Sequence, residues 1–176
     1  MEAVADTNPT TSGWRRISIR AVGYWLLTGM VALEMVAGSM WDLLRIEFVR
    51  GVFDQLGYPH YLLLIIGAWK LPCAVTLLVP GFPRLKEWAY AGAVFNFTGA
   101  AASHLLAGHG PAKWIGPLLF AGIVMGSWAL RPPARRLADP PPRPRELPAA
   151  WLVPLGVFAA FLIFSLLTLP QGPPPP

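Results

Sequence analysis

One cysteine, Cys73, in 176 residues excludes an intramolecular disulfide and any two-thiol relay within the chain. Charge is scarce as well: 13% of the residues are Asp, Glu, Lys or Arg, and nine are acidic. No glycine-rich phosphate loop, no Ser, His and Asp set and no haem-attachment motif occurs, so phosphoryl transfer, triad hydrolysis and covalent haem binding lack their carriers. The three histidines are His60, His104 and His109. His104 has no second histidine or carboxylate at ligand spacing on its own helix, and no histidine pair at depth could hold a haem, so no metal or haem site is expected. With neither an activated nucleophile nor a metal set, an enzyme acting alone is the least supported class.

Apolar residues are plentiful: 55% of the chain is hydrophobic, with eight Trp, and the mean hydropathy is +0.49. These values define an integral membrane protein. The net charge of +5 does not point to nucleic acid, because the basic residues sit in short segments beside apolar runs, where membrane topology accounts for them. Five runs approach the roughly 20 residues that a spanning helix needs. They fall at about 19–44, 59–79, 88–107, 114–130 and 149–169. The first is too long for the apolar core of a cleaved signal and has no small-residue cleavage site after it, so it is expected to remain.

The expected fold is therefore all-α and polytopic, a four-helix transmembrane bundle with a fifth, C-terminal transmembrane helix. Residues 1–18 form an N-terminal tail, 19–136 the four-helix domain, 137–148 a Pro/Arg-rich linker, 149–169 the fifth helix and 170–176 a disordered end. From Arg131 to Pro148, seven prolines and five arginines argue for an extended, solvated segment. Between the first two spans, Phe48, Val49, Val52, Phe53 and Leu56 recur at helical spacing, which predicts a short amphipathic surface helix closed by Gly57 and Pro59. Ten Lys and Arg flank the spans on one side and three on the other, which places the N-terminus in the cytoplasm and the C-terminus outside.

Polar residues inside the apolar runs are the candidates for function. Glu34 lies within the first run, where a carboxylate costs about 2.5 to 3.5 kcal/mol and normally turns toward a partner. Lys70 is the other full charge at depth, and the two are expected to pair. Depth and helical phase bring Asn96, Ser103 and His104 to the same level, which predicts a polar pocket of Glu34, Lys70, Asn96, Ser103 and His104, walled by Trp41 and Trp69. Plainer roles stand beside these. The charge pair could serve helix register alone, and Asn96 and Ser103 could be interhelical hydrogen-bonding groups. His60 and His109 belong to the outer surface, and Trp69 reads as a core residue.

The runs YWLLTGMVALEMVAGSMWDLLR, VRGVFDQLGYPHYLLLIIGAWKL and FPRLKEWAYAGAVFNFTGAAASH resemble the DoxX-like family of small bacterial membrane proteins, over about 24–136. The resemblance implies a four-helix bundle in the bacterial inner membrane and, through some relatives, an association with quinone-linked redox complexes. Two function classes follow. In the first, the chain is a non-catalytic or accessory subunit whose pocket binds a small hydrophobic ligand, a quinone being one, or docks a membrane oxidoreductase or a second copy. In the second, it is a small proton-linked transporter in which Glu34 and Lys70 alternate in charge. No internal repeat with broken helices supports the transporter.

Overall fold

The computed structural model describes residues 18–138 and 152–168, and these are all-helical apart from turns. The expectations for the N-terminal tail, for most of the Pro/Arg linker and for the C-terminal end lie outside the described residues. The chain divides into two units, Met1–Leu137 and Ala138–Pro176.

In the first unit, α1 (Ile19–Leu43) begins where the Ser18 hydroxyl accepts a hydrogen bond from the Ala21 N–H at 3.1 Å, filling one of the vacant donors of a first turn. Helix α2 (Glu47–Leu56) follows, as the apolar spacing predicted. It lies between two left-handed residues, Arg45 (φ 49°) and Gly57 (φ 71°); the second costs little because glycine lacks a Cβ. Helix α3 (Tyr61–Leu78) ends at a tight turn, and α4 (Pro83–Leu106) starts on a proline whose fixed φ suits the first helical position. Helix α5 (Pro111–Leu130) starts in the same way. Among the described residues, α1, α3 and α5 are long and apolar enough to cross a membrane. Helix α4 is long enough but carries Arg84, Lys86, Glu87, Asn96 and His104. In the second unit, α6 (Leu152–Leu167) has 16 residues, and its described side chains are exposed.

The four long helices pack in the cyclic order α1, α3, α4, α5 around Val31, Met35, Leu77, Tyr90, Phe97 and Val124. A chain of hydroxyls runs through this core. Thr28 donates to the Tyr24 carbonyl at 2.7 Å and meets Ser127 at 2.8 Å, and Ser127 meets the Tyr90 hydroxyl at 2.9 Å, linking α1, α5 and α4. No buried side-chain polar atom among the described residues is left without a partner. Helices α1 and α3 are in tight contact at Gly67, whose carbonyl accepts from the Ser39 hydroxyl at 2.7 Å.

At the α3–α4 turn the structure departs from the sequence reading. Lys86 and Arg135, two of the ten basic residues counted on one side of the spans, are not both solvated there but cap the end of α3. Lys86 is fully buried and donates to the Thr76 and Val79 carbonyls, while Arg135 donates to those of Leu77 at 2.9 Å and Leu78 at 3.0 Å. The carbonyls that a helix end leaves vacant are thus met by two cations from elsewhere in the chain. Arg131 is buried too, paired with Glu87 at 2.7 Å, and Trp128 donates to the same carboxylate at 2.8 Å. Residues Pro133–Arg135 form a 3-10 turn against the bundle, so the extended, solvated segment does not begin at Arg131. Proline content suggested solvation, but guanidinium capping of helix ends overrides it.

Candidate functional site

Between α3 and α4 the bundle opens into a groove of about 730 Å³. Short-turn connection and the Lys86 cap hold the two helices together at one end. At the other, Val52, Phe53 and Leu56 of α2 line the space between them. Small residues on the α4 wall, Ala89, Gly92, Ala93, Gly99 and Ala100, keep it open. At Gly92 and Gly99 an added Cβ would meet nothing within 4 Å.

Five of the seven residues expected at a pocket line this groove: Lys70, Asn96, Ser103, His104 and Trp69. Glu34 and Trp41 are not on its wall. The Lys70–Glu34 pair expected from the sequence does not form: the Lys70 ammonium donates to Asp42 Oδ2 at 2.7 Å, and both of those side chains are mostly buried. The lysine side chain runs over Gly38, where a Cβ would stand 3.1 Å from Nζ and 3.6 Å from Glu34 Oε1. Glu34 is thus near the ammonium without forming an ion pair with it. The reason is direction: helical side chains lean toward the helix N-terminus, which for α3 is the end beside the close of α1, and Asp42 lies about two turns beyond Glu34 toward that end. Those two turns are readable in the sequence, and Asp42 is the residue that the sequence reading missed.

Trp69 is 74% exposed, so it is no core residue; it forms an open edge of the groove, with Trp88 on the facing helix. Ser103 meets the Tyr58 hydroxyl at 2.8 Å and donates to the Gly99 carbonyl at 2.8 Å, tying the α2–α3 connection to α4. His104 and His109 face one another, Nδ1 to Nδ1, at 2.8 Å, because Gly108 in a left-handed turn folds the chain back. His60 contacts Asp54 at 2.7 Å. Asn96 is half-buried on the α4 wall, and its amide has no side-chain hydrogen bond among the described residues. Among those residues no three His, Cys, Asp or Glu side chains gather as a metal site would require.

The apolar helices and the side-opening groove define the class: an all-helical membrane protein with a mixed polar and apolar cleft along its bundle. The model of the DoxX-like family matches residues 26–127, more than half of the chain, and the chain belongs to that family. Neither the curated proteins nor the solved structures compared with it give a match.

Proposed function

We propose that the groove binds a small hydrophobic molecule bearing a polar head, and that the protein acts as a ligand-binding or accessory membrane subunit. One observation carries this reading: along a single cleft, an apolar wall of aromatic and small residues is interrupted by Lys70, Asn96, Ser103 and His104. Ligand sites have this composition, a largely apolar lining with a few placed polar groups. An isoprenoid quinone is one molecule of that description, and a membrane oxidoreductase is the kind of partner such a subunit would serve. In this reading α1, α3, α4 and α5 cross the bacterial inner membrane, α6 adds a fifth span, and the excess of basic residues sets the N-terminus in the cytoplasm. The transporter reading has less support, since Lys70 is held by Asp42 and Glu34 stands off the groove.

The groove can be filled without disturbing the fold, because the Cβ positions of Gly92 and Gly99 point into open space. Wild-type protein purified in mild detergent should retain an amphiphile that mass spectrometry of an organic extract detects. Gly92→Leu combined with Gly99→Leu should lower that retention at least tenfold while the melting temperature stays the same. Equal retention in the filled variant, or none in the wild type, removes this reading.

A further inference from the structure

We infer that the groove takes a single-chain amphiphile, its uncharged hydrogen-bonding head in the half beside α2 and its tail running toward the α3–α4 turn. This rests on the ligand-binding reading above and adds the ligand's class and orientation. Length is the first argument. The α4 wall runs from Leu85 to His104, about 28 Å at 1.5 Å per residue, close to the thickness of a hydrocarbon core. Spread over that length, 730 Å³ leaves a mean cross-section of about 26 Å². The groove is therefore long and narrow, a shape that suits one extended chain.

The second argument is the division of the wall. Lys70 on α3 and Asn96 on α4 both line the groove about 14 Å from the α2 end, and Tyr58, Ser103 and His104 lie on the α2 side of that level, beside Val52, Phe53, Leu56, Leu62, Ile65 and Ile66. Beyond it toward the turn, the wall is Pro72, Cys73, Leu85, Trp88, Ala89 and Gly92, with Thr76 the polar exception. That half is about 16 Å long, counted from Asn96 to Leu85. Charge supplies the third argument. Among the described residues, the carboxylate and ammonium on the wall are Asp42 and Lys70, which already neutralise one another, so a charged head would meet no free countercharge there. The Asn96 amide has no side-chain hydrogen bond among the described residues and can bond a hydroxyl or carbonyl group.

Cys73, the sole cysteine, lines the tail half and reports on it directly. Full-length protein in phospholipid nanodiscs would be labelled with N-ethylmaleimide in the presence of four probes. Monopalmitoylglycerol should slow Cys73 labelling at least fivefold. Monohexanoylglycerol has too short a tail, dipalmitoylglycerol one chain too many and palmitate a charged head, and each should slow it less than twofold. Gly92→Cys in a Cys73→Ala background gives a second reporter in open space and should show the same order. Equal protection by the two-chain or the charged probe overturns the inference. So does protection at neither reporter; if the purified protein still retains an amphiphile, the ligand-binding reading survives and only the class and orientation fail.

Discussion

Lys70→Met should destabilise the protein by about 3 to 5 kcal/mol, and adding Asp42→Asn should restore most of that loss. The ammonium and carboxylate are 2.7 Å apart, with side-chain exposures of 17% and 6%. Removing the ammonium alone strands a buried carboxylate, whereas removing both charges strands neither. Thermal unfolding in detergent, followed by near-UV circular dichroism, would read a double-mutant cycle with a coupling of about 2 kcal/mol or more. Glu34→Gln should cost under about 1 kcal/mol and add to Lys70→Met without coupling of that size, because no ion pair joins them. A cycle that couples Lys70 to Glu34 and leaves Asp42 additive would contradict the geometry.

That contrast shows how far the residues alone could be read. A mid-helix lysine demands a carboxylate partner, and the sequence made both the demand and its level in the bundle plain. Which carboxylate answers it depends on the axial offset of α1 against α3, and that offset is fixed by the close approach at Gly67, a packing fact invisible to one-helix arithmetic. The amphipathic α2 was legible because its pattern is local. The groove wall was partly legible, since Asn96, Ser103 and His104 share a broad face of α4; Tyr58 was not, because it lies just past α2 and meets α4 only in three dimensions. The Lys86 cap was not legible, because a basic residue beside an apolar run has two uses, facing water or capping a neighbouring helix, and only packing distinguishes them.

Gly67→Val should be the most damaging small substitution in the bundle. A Cβ there would lie 3.0 Å from Asp42 Cβ, 3.0 Å from Leu43 Cγ and 3.1 Å from the Ser39 carbonyl oxygen. None of these is the free end of a flexible side chain, so α1 and α3 must move apart. Overpacking of this kind costs about 1 to 3 kcal/mol. Separation also stretches the Ser39 bond to the Gly67 carbonyl and the Lys70–Asp42 pair, so the total should exceed that range. Gly126→Ala is the control, since its Cβ would meet only Leu27 Cδ1, at 3.0 Å, a methyl at the end of a side chain that can rotate away. The melting temperature should fall sharply for Gly67→Val and Gly67→Ala and little for Gly126→Ala. Equal small shifts would mean that the α1–α3 contact is looser than described.

In the proposed function the cleft between α3 and α4, and not the apolar surface in general, holds a particular molecule. Photo-crosslinking in native membranes tests it most directly, with a diazirine amino acid placed at Ala100 on the groove wall or at Leu118 on the exposed surface of α5. The account predicts one dominant adduct mass at position 100, that of a single-chain amphiphile, and a spread of bulk phospholipid masses at position 118. The same spread of phospholipid adducts at both positions would contradict it.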